Sequence, residues 1–218
     1  MSMTLATLQE LTLDILDDPS SGYFTQPVLN IRLNIALREL QKRLISANNE
    51  YYTTCVYTDT VANQALYALP IDFMQIIRLH YVTQGTGATA QTQKIYNMTP
   101  NQRDLLADQT GAPGFYYFQQ NNLVLAPCPD SIYEMHLEYS YYVADMVNPT
   151  DVPDAPQQFH PYIAYLTARD CLVKDNRSLV SIETQLKDYE TLLKQIAVQR
   201  EADSARMVVS TNSMDGNW

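Results

Sequence analysis

Apolar residues recur at helical spacing near both ends of the chain and at two-residue spacing in its middle. Leu5, Leu8, Leu11, Ile15 and Leu16 follow one helical face, with Thr4 placed to cap the first turn, and predict a helix over 4–16. Asp17-Asp18-Pro19-Ser20-Ser21-Gly22 supplies the breakers that stop it. A second helix is predicted over 27–45, with Thr25 as cap and Pro27 in the first turn, where its missing N–H costs nothing. Leu29, Leu33, Ala36, Leu37, Leu40 and Leu44 form its stripe; Arg32, Glu39, Lys42 and Arg43 lie off it.

The period changes near Tyr51. From there to Tyr142 the chain holds 12 of its 16 tyrosines and many threonines, the composition of strands. The clearest strand is 133–141, apolar at odd and polar at even positions, as in an antiparallel sheet with one wet face. Weaker strands are predicted at 52–61, 65–69, 74–82, 115–119 and 123–126, with turns at Asn63-Gln64, Leu69–Asp72, Gln120–Asn122 and Pro127–Asp130. Thr99-Pro100 opens a short predicted helix over 100–107, and 83–92, free of charge and of large apolar residues, reads as a projecting flexible loop.

Pro149, Pro153 and Pro156 beside Asp145, Asp151 and Asp154 mark a returning linker. Helices are predicted over 159–174 and 178–203; in the latter Leu179, Ile182, Leu186, Tyr189, Leu193 and Ile196 alternate steps of three and four, a seam that packs on another helix. The expected organisation is an N-terminal helix pair (1–50), an inserted antiparallel β domain (51–144), a linker (145–158), a C-terminal helix pair (159–204) and a tail (205–218). The expected fold class is α+β, a four-helix bundle built from the two terminal helix pairs with the β domain inserted.

Composition narrows the function. The 218 residues carry Lys+Arg 14 against Asp+Glu 24, a formal charge of −10, so a grip on phosphate backbones through clustered cations is not expected. At 46% hydrophobic and 17% charged, the chain is expected to fold rather than stay disordered. No apolar run approaches the ~20 residues of a membrane span, and 1–18 has acids but no basic segment, so neither a membrane partner nor a signal peptide is expected. Cys55, Cys128 and Cys171 are odd in number and far apart, which fits reduced thiols made in a cytoplasm.

Candidate chemistry is sparse. His80 and His136 lie on the polar sides of predicted strands, and His160 precedes Pro161 at a helix start; none has metal-ligand spacing to a second ligand. Asp170 and Cys171 sit ten and eleven residues after His160, too far for a spacing-based nucleophile–base pair. Gly85-Thr86-Gly87 lacks the rest of a dinucleotide or phosphate-loop motif, and the prolines at 149–156 break any calcium loop. No catalytic, metal or cofactor site is expected. The pairs Tyr51-Tyr52, Tyr116-Tyr117 and Tyr141-Tyr142 put one ring on each strand face, either as core plus surface or with the second ring in a subunit interface.

A series of short motifs carries a resemblance. Leu33-Asn34-Ile35-Ala36-Leu37-Arg38-Glu39-Leu40 is followed by Tyr67-Ala68-Leu69-Pro70-Ile71-Asp72-Phe73 running into Ile76-Ile77-Arg78-Leu79. Gly111-Ala112-Pro113-Gly114-Phe115-Tyr116-Tyr117, then Leu123–Asp130 ending in Pro-Cys-Pro-Asp, then Phe159-His160-Pro161 complete it. In this order, over about 29–172, they resemble the head-to-tail adaptor (connector) proteins of short-tailed phages. Asn63 stands where that family more often has glycine, and asparagine tolerates a positive φ. Gly114 replaces a usually polar or basic residue.

The resemblance implies a structural virion protein of the neck or tail, assembled in the host cytoplasm. It would form a homo-oligomeric ring, a dodecamer in the family, between the portal protein and the tail or nozzle proteins. The ring would extend the DNA channel and offer a tail platform, the genome passing without specific binding. The resemblance also implies portal or neighbour binding through the tail, with Met207, Val208, Val209, Met214 and Trp218 as its apolar residues. Gly85, Gly87, Tyr116 and Tyr142 are the candidate tail-side or subunit contacts. The alternatives are a stopper or tail-completion ring protein, a small cytoplasmic hydrolase using His160 and Asp170, and a module that stacks nucleic acid on tyrosines.

Overall fold

The computed structural model describes residues 2–18, 22–47, 51–85, 90–99, 103, 106 and 109–211, with side chains of the last helix as far as Gln195. The chain divides into two compact units, Met1–Tyr51 with Val143–Trp218, and Tyr52–Tyr142.

The first unit is helical. In α1 (Leu5–Leu16) Thr4 and Thr7 cap each other's backbone N–H groups, at 3.4 and 2.7 Å. In α2 (Gln26–Ala47) the buried residues include all six of the predicted stripe. A 3₁₀ turn (Gln157–Phe159) leads into α3 (His160–Lys174), and α4 (Val180–Thr211) ends the described chain.

The four helices do not make the expected four-helix bundle. A bundle needs each helix to turn one stripe toward a shared axis. In α3 the buried Tyr162, Ile163, Ala164, Leu166, Thr167, Ala168, Cys171 and Leu172 fall almost all the way round the helix. A helix apolar on every side is enclosed by its neighbours. Here α1, α2 and α4 all pack on α3. The result is an α+β fold: a helical unit built on a central helix, and a separate unit of two sheets.

Residues 143–156 are held firmly to this unit. Asn34 clamps the backbone of Met146, donating to its carbonyl at 3.0 Å and accepting its N–H at 2.9 Å. The carbonyls of Asp151 and Pro149 accept the N–H groups of Leu5 and Ala6, which α1 cannot satisfy itself. The Asp151 carboxylate accepts Val147 and Asn148 N–H at 2.8 Å.

Arg43 joins three elements. It donates to Glu39 at 2.6 Å, to Glu190 at 2.9 Å and to the Tyr162 hydroxyl at 2.7 Å, while Arg169 reaches Glu39 at 3.0 Å. Burial opposes ionisation of Glu39, but the hydrogen bonds from Arg169 and Arg43 hold its carboxyl below the ordinary range. Arg43 meets Glu190 while Leu29 shares a cluster with Ile182, so α4 runs beside α2 in the same direction. Beyond Leu193 and Lys194, which line one pocket with Ser46 and Ala47, α4 continues from 196 to Thr211, roughly 24 Å at 1.5 Å per residue. The helix thus outruns its predicted end at 203.

The second unit contains two four-stranded sheets. One is antiparallel, in the order β1 (Thr53–Asp59), β8 (Glu134–Tyr141), β3 (Phe73–Gln84), β4 (Gln91–Lys94). The other runs β2 (Leu66–Ala68), β7 (Asn122–Ala126), β6 (Phe115–Gln119), β5 (Tyr96–Asn97), and is mixed because β5 is parallel to β6. Leu79, Tyr81, Met135, Leu137 and Tyr139 from the first sheet form one core with Leu123 and Leu125 from the second. The alternation predicted for 133–141 is present as far as Tyr139: Met135, Leu137 and Tyr139 are buried while Glu134, His136 and Glu138 face out, but Ser140, expected on the wet face, is buried. The expected loop 83–92 is shorter than predicted, since Thr83 and Gln84 belong to β3 and Gln91 and Thr92 to β4. Residues 86–89, at its tip, lie outside the described residues, as does most of the predicted helix 100–107, of which Arg103 and Leu106 are helical.

Candidate assembly surfaces

The Leu-Pro-Ile-Asp-Phe turn and the β6–β7 hairpin meet at one end of the β unit, where Leu69 N–H reaches the Asn121 carbonyl at 3.4 Å. Asp72 anchors the turn, accepting the Tyr139 hydroxyl at 3.0 Å, while its own carbonyl accepts Tyr142 N–H at 2.7 Å. Burial and the bond to Asp72 push the Tyr139 phenol up to about 12. Phe73 packs between Tyr139 and Phe118, with ring centroids at 5.6 and 5.9 Å.

An open groove of about 770 Å³ lies between these turns. Leu69, Ile71, Phe73, Ile76, Tyr116 and Phe118 line it, and none of the described residues lining it is charged. Gln75, Asn97, Gln120 and Asn121 add four amides whose side chains make no hydrogen bond to another described residue. Ile71 projects fully into solvent, 106% exposed. Along one side runs the edge of β6. There β5 covers only Phe115 and Tyr116, with Met98 N–H bonded to the Tyr116 carbonyl at 2.7 Å. Alternate residues of an antiparallel strand bond to opposite sides, so the Phe118 N–H and C=O point away from β7. Among the described residues no strand pairs with Phe118 on that side.

The helical unit has a surface of its own. Val28, Ile31 and Ile35 form a second apolar stripe on α2, off the buried one, and Ile31 is 63% exposed. With Arg32 and Asp170 they line a shallow groove of about 330 Å³.

The outer face of the antiparallel sheet is polar. Tyr57, His136, His80 and Lys94 stand in one cross-strand row, the two imidazoles with centroids 4.8 Å apart. Burial, then the neighbouring His136, lowers the His80 pKa. Arg78 and Glu138 pair at 2.7 Å in the next row.

His160 is part of the helical core, 1% exposed. Its Nδ1 accepts Met3 N–H at 3.1 Å, so Nε2 carries the proton and donates to the Ala155 carbonyl at 3.0 Å. Asp170 lies ten residues along the same helix, roughly 15 Å away, and is held by Arg169 at 2.9 Å. The two cannot act as a pair. Burial pushes the Cys171 thiol up, away from the reactive thiolate.

The predicted contact residues are scattered. Gly85 follows β3 with φ 81°, in the left-handed region that suits glycine, and Gly87 lies outside the described residues. Tyr116 lines the groove; Tyr142, just past β8, is 49% exposed. Met207, Val208 and Val209 lie on α4, beyond its described side chains, and Met214 and Trp218 lie outside the described residues. The groove itself, the open edge at Phe118 and the α2 stripe had not been predicted. The steps Val28–Ile31–Ile35 were the available signal for the last.

The described surface thus offers two separate grooves, one in each unit, with exposed isoleucines at both. Comparison with known families makes the class specific. The model for SU10 adaptor protein, a phage head-to-tail adaptor family, matches residues 3–213, and the chain belongs to that family. No curated protein matches the chain. The family is a structural one of the virion neck, and no described helix is long and apolar enough to cross a membrane.

Proposed function

We propose that the chain is the head-to-tail adaptor of a short-tailed phage, assembling as a homo-oligomeric ring between the portal and the tail or nozzle proteins. The observation that carries this reading is the family match over 3–213. A ring needs a heterologous interface, in which one patch of each subunit meets a different patch of the next. Two unlike grooves, one in each unit and each with an exposed isoleucine, are consistent with that requirement. The formal charge of −10 suits a channel wall that passes DNA without holding it.

In this reading the tail residues Met207, Val208, Val209, Met214 and Trp218 bind the portal or a neighbouring subunit. Gly85, Gly87, Tyr116 and Tyr142 serve tail-side or subunit contacts. Electron microscopy of the chain mixed with portal rings tests it. The expected result is a ring seated directly on the portal; a ring one layer below would instead make this a stopper or tail-completion protein. Truncation after Ser204 is expected to leave the fold intact and abolish portal binding.

A further inference from the structure

We propose that His80 and His136 act as an acid-sensitive latch in the β unit: the sheet holds the two imidazoles in contact while at most one of them is protonated, and a second proton loosens the pairing of β3 with β8. The two residues stand directly opposite each other in the β3–β8 register, with ring centroids 4.8 Å apart. The Tyr57 ring on β1 meets His136 from its other side at 4.5 Å, and Lys94 on β4 stands opposite His80. Tyr57 and Lys94 thus bound the row at its two ends.

Charge around the pair is uneven. Glu134 lies 2.9 Å from His136 Nε2 and offers a counter-charge to a proton there. In the row on one side Cys55 faces Glu138, which in turn faces Arg78 and is held by it at 2.7 Å. In the row on the other side Asp59 faces Glu134. His80 has Arg78 two residues away on its own strand and Lys94 across from it, and its enclosed Nδ1 has no hydrogen-bond partner among the described residues. A proton on His136 therefore keeps Glu134 as a partner, whereas a proton on His80 meets a second imidazolium between an arginine and a lysine. Burial, then His136 and Arg78, hold the His80 pKa below the ordinary histidine value against the pull of Glu138. The Tyr57 phenol, raised by its bond to Cys55, stays neutral throughout.

The direction of the pH effect follows. The unfolded chain takes up a proton on His80 at the ordinary imidazole value, about 6.5, before the folded one does. Stability that depends on a neutral His80 is complete above that value and is lost as pH falls from it through the lower folded value. The loss reaches the core, because β3 and β8 are the two inner strands of their sheet and carry Leu79, Tyr81, Met135 and Leu137 on the reverse face. Glu39 of the helical unit, held below the ordinary glutamate range, stays charged in this window, so mild acid acts on the β unit first. The latch lies within one subunit and needs no ring.

Two measurements on the full-length chain test it. In an NMR titration of the imidazole signals from about pH 8 to pH 5, assigned with His80→Gln and His136→Gln, the His80 signal should titrate below the ordinary value and should move upward when His136→Gln removes its neighbour. Titration of His80 at the ordinary value, or a midpoint that His136→Gln leaves unmoved, overturns the proposal. In hydrogen exchange read by mass spectrometry and corrected for its intrinsic pH dependence, peptides of β3 and β8 should lose protection about fivefold or more between about pH 7.5 and pH 5.5, while α3 peptides keep theirs. Each of the two substitutions removes half of the pair and should reduce that loss. Equal protection at both pH values, or the same loss in both variants, overturns the latch. The exchange loss is read in the unsubstituted chain, so it stands even where a variant does not fold.

Discussion

Among the described residues, the helical unit ties distant segments together through polar side chains, whereas the β unit has four exposed groove amides with no hydrogen bond to another described residue. In the helical unit Asn34, Glu39, Arg43, Asp151, His160 and Arg169 each bind a named partner, several across more than a hundred residues of sequence. In the β unit the four amides face an open groove beside an isoleucine in full solvent. A region with its polar groups bonded around a buried helix resists deformation. The helical unit holds its shape through those bonds, and the β unit exposes amides at its groove.

The comparison breaks most readily at α3. Ile163→Ala, at a fully buried position, should cost about 2–5 kcal/mol, read by urea unfolding, with the loss confined to the helical unit. Leu186, expected as core, is only half-buried, so Leu186→Ala should cost visibly less. Asn34→Ala removes both bonds to Met146 and leaves its backbone unpaired, a loss of about 1–3 kcal/mol in the same measurement.

Acid should act on the same unit. The Glu39 pKa is lower folded than unfolded, so its ion pairs contribute fully above the ordinary glutamate range. That contribution is lost as pH falls through the folded value. The groups are about 30% exposed, so the effect is about 1 kcal/mol, and Glu39→Gln should remove this pH dependence of the melting temperature. In the β unit Tyr139→Phe removes one hydrogen bond and should cost about 0.5–1.5 kcal/mol by the same assay. The smallest effect on stability should come from Ile31→Asp on the exposed α2 stripe, near zero in melting but a loss of assembly in sedimentation.

What could be read from the sequence was whatever depends on near neighbours. The α2 stripe, the alternation of 133–141 as far as Tyr139 and the Thr4 cap all rest on contacts a few residues long, and all are present. Asn63, expected to tolerate a positive φ, has φ 62°. The bundle failed because the residues of α3 were not read for a face, and its buried residues run round the helix. Strand β4 was missed because Gln91-Thr92-Gln93-Lys94 is exposed throughout and owes its conformation to backbone pairing with β3. The groove was out of reach because its walls come from separate segments between 69 and 121. His160 was placed at a helix start, but its burial depends on Met3, 157 residues earlier. The Asp-Phe pair of the turn motif, legible only as a family signature, proves to be an anchor for Tyr139 and Tyr142.

The central position of α3 also imposes an order on synthesis. The β unit is one continuous stretch of chain and can close as soon as β8 has emerged. The helical unit cannot, because the helix that its first two helices enclose is made more than a hundred residues after α2 ends. At ~5–20 residues per second, α1 and α2 wait on the order of ten seconds with their leucine stripes uncovered. A chain released early would carry a finished β unit and no helical one. Only a ribosome that has read past α3 delivers a chain with both units folded.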